Sequence, residues 1–115
     1  MEGITQKKSY KFGLRIINLY KYLTEQKKEY IISKQVLRSG TSIGANTEEA
    51  VAGQSRADFY AKICVAYKEA RETIYWLKLL KDGEYIKESD FISIFKDCEE
   101  LCKLLGKTKI TIKTK

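Results

Sequence analysis

The sequence predicts an all-α fold: an antiparallel, up-down-up-down four-helix bundle that assembles into an oligomer. Three observations point there. Pro is absent from the 115 residues and Gly numbers only seven, so the punctuation that a many-turned β fold requires is missing. Apolar residues recur at helical spacing through four long segments, at about 5–26, 30–52, 55–82 and 87–106, broken only at 26–29, 53–54 and 82–84. Short connections between long helices favour antiparallel neighbours. Three of the four segments also carry more apolar faces than one core needs, and oligomerisation is the economical use for them. A chain of this length forms one domain, 1–115, and can bury a core without disulfides or a metal.

In the first helix Phe12, Ile16, Leu19 and Leu23 form a core stripe. Tyr10, Leu14 and Ile17 fall on nearly the opposite side, and Lys7, Lys11, Arg15, Asn18 and Tyr22 make a basic strip between them. The second helix repeats the excess. Ile32, Val36, Ser39, Ile43 and Ala50 line one stripe, Leu37, Gly40, Gly44 and Val51 a second, and Arg38, Ser42, Ala45 and Glu49 a third. A glycine inside a soluble helix costs about 1 kcal/mol relative to Ala. Gly40 and Gly44, one turn apart, therefore imply close approach of another backbone, with a local kink as the alternative.

The third helix starts at Ser55, a suitable cap, with Asp58 in its first turn. Phe59, Ile63, Ala66, Ala70 and Leu77 form its core stripe. Val65, Glu69, Glu72, Trp76 and Leu79 form a second, and Tyr60, Cys64, Tyr67, Arg71 and Tyr75 fill much of the rest. Arg38 and Glu49 on the second helix are expected to join Glu69, Glu72 and Trp76 in an interface or polar network, with Arg38 meeting at least one glutamate. The fourth helix has a single seam of Phe91, Ile94, Phe95, Cys98, Leu101, Cys102 and Leu105. Gly83 and Gly106 suit left-handed caps, which leaves 107–115 as a basic tail.

The formal net charge is +7, and it is uneven. Residues 1–46 hold nine Lys/Arg against three Asp/Glu, and every charge after Glu100 is basic, at Lys103, Lys107, Lys109, Lys113 and Lys115. Lys7, Lys11 and Arg15, at i, i+4, i+8, with Lys107, Lys109 and Lys113, are the candidate nucleic-acid contacts, since such a surface attracts phosphates. A lysine-rich solvated surface is the plainer account of the same charge.

Catalytic chemistry finds little support. His is absent, which removes the usual general base, the commonest zinc ligand and the Glu-x-x-His element of di-iron bundles. Ser39, Ser42 and Cys64 thus lack a triad partner. Glu48, Glu49, Glu69 and Glu72 read better as salt-bridge partners of Arg38 and Lys68 than as a metal cluster. Gly106-Lys107-Thr108 is no phosphate-binding loop, because Leu101 occupies the place of its first Gly and no strand precedes it. Three Cys read as small thiols in a reducing cytosol. Trp76 and the eight Tyr serve as packing groups rather than base-stacking platforms. The expectation is no enzyme, no cofactor and no metal. A cytoplasmic location follows from the absence of a signal-peptide core and of an apolar run able to span a bilayer. The basic strip also lacks the broad apolar sector that would lay it on a membrane.

SGTSIGANTEEA (39–50), GQSRADFYAKI (53–63), KEARETIYWLKLL (68–80) and, in support, SYKFGLRIINLY (9–20) carry a family likeness. Across most of 9–105 the chain resembles the four-helix bundle family encoded in intervening sequences of bacterial 23S rRNA genes. The resemblance implies an antiparallel bundle assembled as a ring, as a homopentamer. A similar fold serves as the accessory protein of diversity-generating retroelements, which binds nucleic acid and a reverse transcriptase. The lysine tail after Gly106 lies outside this likeness. Two functions follow as expectations: a ring that holds structured RNA or DNA by its phosphates, or a scaffold that docks a partner enzyme without touching nucleic acid.

Overall fold

The computed structural model describes residues 2–114, with side chains described for 3–113. Among them lie four helices and no strand: α1 (Glu2–Glu25), α2 (Ile32–Val51), α3 (Arg56–Asp82) and α4 (Glu88–Thr114). Each helix packs on two others. α1 and α3 both run beside α2 and α4, and among the described residues the backbones of the diagonal pairs, α1/α3 and α2/α4, do not approach closely.

One core fills the space between them. Phe12, Ile16 and Leu23 of α1 meet Val36 and Ile43 of α2, Ile63, Leu77 and Leu80 of α3, and Leu101 and Leu105 of α4. Ala66 and Ala70 keep α3 thin where it faces its neighbours. Polar groups enter the core only with partners close by: the Thr73 hydroxyl donates to Ser39 Oγ at 2.9 Å, and Thr47 to the Ile43 carbonyl at 2.8 Å. The Ser33 hydroxyl is the exception, buried with no hydrogen-bond partner among the described residues.

Cross-helix contacts fix the register. Gln6 of α1 donates to Glu48 of α2, and Ile16 sits on Gly40. Arg38 of α2 reaches Glu69 and Glu72 of α3, and Glu49 pairs with Lys62. Cys98 of α4 donates to the Ala70 carbonyl, Tyr67 lies on Gly106, and Arg56 donates to the Ile112 carbonyl. On the last side, Lys8 pairs with Glu100 and Arg15 with Asp97.

The helix ends differ from the sequence expectation at two glycines. α4 does not stop at Gly106 but runs on to Thr114, so residues 107–114 of the expected tail are helical; Lys115 lies outside the described residues. Tertiary contacts override the weak helix propensity of this Thr/Ile-rich stretch. Ile112 packs against the core, Arg56 holds its carbonyl at 2.7 Å, and Thr108 donates to the Leu104 carbonyl. Gly83 is not a left-handed cap either, with φ −80°; the left-handed residue is its neighbour Glu84, with φ 65°. Ser55 does cap α3, accepting from the Asp58 N–H at 3.0 Å.

The start of α2 uses a device the sequence reading missed. Ile31 offers no capping side chain. The buried Glu29 carboxylate instead accepts from the N–H groups of Ile31, Ile32 and Ser33, at 3.2, 3.0 and 2.6 Å. An anion there also complements the helix dipole.

Candidate nucleic-acid interface and polar network

Three features of the surface bear on function: the basic strip of α1, the polar network between α2 and α3, and two open grooves.

The strip is divided. Arg15 is committed to α4: its Nη1 donates to Asp97 Oδ2 at 2.7 Å and to the Ser93 carbonyl at 3.3 Å, and its Nη2 donates to Ser93 Oγ at 3.0 Å. Lys8 pairs with Glu100 at 3.2 Å. Lys7 and Lys11 are exposed and form no ion pair among the described residues. Helical periodicity placed Lys7, Lys11 and Arg15 on one side of α1 but could not foresee that Ser93 and Asp97 face its last member.

The expected tail lysines also separate. Lys113 is exposed in the last turn of α4, where a cation suits the helix dipole. Lys109 stands over the Tyr67 ring, 4.5 Å from its centroid, a cation–π contact. Lys107 lines a groove described below.

Arg38 sits between two carboxylates of α3. Its Nη1 lies 3.2 Å from Glu69 Oε2, and its Nη2 contacts Glu72 Oε2. Trp76 Nε1 donates to the same Glu72 oxygen at 2.8 Å, and Gln35 accepts from the Arg38 guanidinium on its outer side. Glu49 is not part of this group; it pairs with Lys62 at 2.7 Å. Both arginine and glutamates stay partly open to water, so the pairs contribute modestly. Among the described residues no group of three or more acidic, Cys or His side chains gathers closely enough to hold a metal ion.

Gly40 and Gly44 both face α1 of the same chain. A Cβ on Gly40 would lie 2.7 Å from Ile16 Cγ1 and 2.9 Å from Cγ2, which no real contact tolerates. A Cβ on Gly44 would meet Ser9 at 3.4 Å, ordinary contact distance. The Gly40–Gly44 stripe of α2 is therefore not surplus. In a helix flanked by two neighbours, two stripes are consumed inside one chain.

One α1 stripe remains uncovered. Tyr10, Leu14 and Ile17 are exposed at 69%, 47% and 37%. With Gly13, Thr41 and Ala45 they line a groove of about 250 Å³ between α1 and α2.

A second, larger groove of about 510 Å³ opens between α3 and α4, lined by Tyr67, Arg71, Glu99, Cys102, Lys103 and Lys107 among others. No sequence period connects these residues, because they come from two helices. Cys98, beneath the groove, has its thiol pushed up by hydrogen bonding with Cys102 and by burial. The Cys102 thiol is pulled down, first by the hydrogen bond from Cys98 and then by the Arg71 guanidinium, against the opposing effect of burial.

No helix among the described residues is long and apolar enough to cross a membrane. The chain matches no curated protein sequence. Among solved structures it is similar to a protein of unknown function from the S23 ribosomal protein family of Bacteroides thetaiotaomicron VPI-5482. The two share 51% identity with a TM-score of 0.92, over 94% of this chain and 96% of that one. The 23S rRNA-intervening sequence protein family matches residues 2–107. With nearly the whole chain covered, and the helices it was read from in place, this protein belongs to the 23S rRNA-intervening sequence protein family.

Proposed function

We propose that the chain is a non-enzymatic, antiparallel up-down-up-down four-helix bundle that self-associates into a ring, a homopentamer, in the cytoplasm. The ring binds structured RNA or DNA through its phosphates. The antiparallel arrangement is supported by the order of cross-helix pairs: 6 with 48 and 16 with 40, 38 with 72 and 49 with 62, 70 with 98 and 56 with 112. Self-association is supported by the Tyr10–Leu14–Ile17 stripe, whose exposure in a single chain is unfavourable at about 25 cal/mol per Å² of apolar area.

The observation that carries nucleic-acid binding is the set of uncommitted lysines at one end of the molecule. Lys7 and Lys11 on α1, and Lys107 and Lys113 on α4, form no ion pair among the described residues. The Lys8–Glu100 contact brings the start of α1 beside the second half of α4. Ring symmetry would repeat this patch and turn weak contacts into avidity.

Fluorescence anisotropy with a labelled RNA hairpin and a labelled DNA duplex tests the reading. At about 50 mM salt the protein is expected to bind both, with affinity falling steeply as salt rises and depending little on base sequence. Lys7→Glu with Lys11→Glu should weaken binding about tenfold, with oligomer mass and helicity kept, at the usual scale of two phosphate contacts. Absence of binding by the wild type would overturn this reading. The alternative, a scaffold for a partner protein, draws on the way Arg15 and Lys8 are neutralised by Asp97 and Glu100, and on the same apolar groove.

A further inference from the structure

The α3/α4 groove is lined by three cations from opposite rims: Arg71 on α3, and Lys103 and Lys107 on α4. One carboxylate, Glu99, faces them. Its contact with Lys103 is long, at 3.9 Å, and both side chains are open to water, so it neutralises little.

Arg71 is the telling member. The chain has four arginines, and the other three are anchored to oxygen. Arg15 holds Asp97 and Ser93, Arg38 holds Glu69 and Glu72, and Arg56 holds the Ile112 carbonyl. Arg71 has no carboxylate or carbonyl partner among the described residues; its neighbour is the Cys102 thiol on the groove floor. Arg71 donates one hydrogen bond to the Cys102 thiol, which orients the guanidinium and leaves its other donors open to an anion.

The groove wall is also built rather than incidental. Gly106, in the middle of α4, lets the Tyr67 ring lie against that helix, where a Cβ would come within 3.3 Å of Cε1. Lys109 covers a face of the same ring at 4.5 Å. Tyr67 thereby forms part of the groove's rim, beside Gly106 and under Lys109.

From this arrangement we infer that the α3/α4 groove is a phosphate-recognition site for a nucleic-acid strand, with Arg71 clamping one phosphate and Lys103 and Lys107 its neighbours. Arginine takes the bidentate role because its planar donors match two phosphate oxygens, while the lysines act as point charges. The inference rests on the nucleic-acid reading above but moves the main contact from α1 to the opposite side of α4.

The test is a triple variant, Arg71→Gln/Lys103→Gln/Lys107→Gln, set against a charge-matched control, Lys21→Gln/Lys34→Gln/Lys78→Gln, whose lysines are exposed elsewhere on the surface. Binding of a labelled 15-nucleotide RNA and a labelled RNA hairpin is read by anisotropy across a salt series. The groove variant is expected to lose at least tenfold in affinity, and its slope of log affinity against log salt should shrink by about 2, the scale for three lost phosphate contacts on a single strand. The control should shift far less. If Arg71→Gln disturbs folding, Lys103→Gln/Lys107→Gln alone should still give a reduced slope, and Arg71→Lys should restore part of the affinity. Equal losses from the groove and control variants would overturn the groove while leaving nucleic-acid binding intact. A wild type that binds neither RNA would overturn both.

Discussion

Gly40 and Gly106 each lie inside a helix beneath a bulky side chain from a neighbouring helix, Ile16 in one case and Tyr67 in the other. At the α1–α2 seam the neighbour is sealed in. Ile16 is fully buried and presents three side-chain carbons within 3.0 Å of the missing Cβ. Its β-branch leaves it little rotameric freedom. At the α3–α4 seam the neighbour is a half-exposed ring whose edge comes no nearer than 3.3 Å. The same residue type thus serves two ends. Gly40 makes a dry interface as thin as it can be, whereas Gly106 seats a side chain that shapes an open groove.

The largest effect that could break this comparison is at Gly40. Gly40→Ala should destabilise the chain by about 1–3 kcal/mol, as overpacking of a filled core does, despite the gain in helix propensity. Denaturant midpoints at constant m-value measure it. Gly44→Ala is the internal control: with Ser9 at ordinary contact distance it should be neutral or slightly stabilising. In an Ile16→Ala background the penalty at Gly40 should largely vanish, because the two sites share the same space. A Gly40→Ala protein as stable as the wild type would show that the seam relaxes freely.

A middle-sized effect sharpens the comparison at the α2–α3 seam, where the Arg38 group stays partly open to water while the Gly40–Ile16 contact of the α1–α2 seam is fully buried. Glu72 Oε2 accepts from both Arg38 and Trp76 Nε1. Glu72→Ala removes both bonds, yet Arg38 keeps Glu69 and much of the group reaches water. The expected loss is about 1 kcal/mol, at the low end for a broken hydrogen-bonded group. Glu72→Gln should recover part of it by still accepting from the indole, and a red shift with quenching of Trp76 emission should accompany only the alanine. A loss as large as that of Gly40→Ala would mean that this seam is more deeply buried than a single chain makes it, as a subunit interface would do.

The helices and most core stripes could be read from spacing, because burial at i, i+3, i+4 and i+7 writes itself directly into the sequence. The placement of Arg38 opposite the glutamates was readable for a similar reason: one polar stripe on each of two adjacent helices. What spacing could not show is which of several stripes meets which neighbour. The second apolar stripe of α2 looked like surplus for a ring, although Gly40 and Gly44 spend it against Ile16 and Ser9. Arg15 looked like a free cation until Asp97 and Ser93 of α4 stood beside it. The α4 end was misjudged because Gly106 carries the local signature of a cap, while the reasons for continuing, Tyr67 and Arg56, lie some forty and fifty residues away in the chain. Nothing local announced Arg71, Lys103 and Lys107 as one site, since two helices must pack before the groove exists.

The smallest expected effect is at Gly106 itself. Replacing a mid-helix glycine with alanine contributes up to about 1 kcal/mol of helix propensity. Against this, the new methyl presses the Tyr67 ring by a few tenths of an ångström. Because that ring is half open to solvent and its other contact is the flexible Lys109 side chain, it can tilt outward. Gly106→Ala should therefore stabilise the chain by no more than about 0.5 kcal/mol, a shift in thermal midpoint of a few degrees at most for a domain of this size. The same tilt should loosen the Lys109 contact and expose Tyr67, measurable as faster ring nitration or as a shift of its ring protons. Stabilisation together with a displaced ring would confirm that this seam yields where the Gly40 seam does not. Destabilisation comparable to Gly40→Ala would show that Tyr67 is clamped, and the contrast between a sealed seam and an open groove would fail.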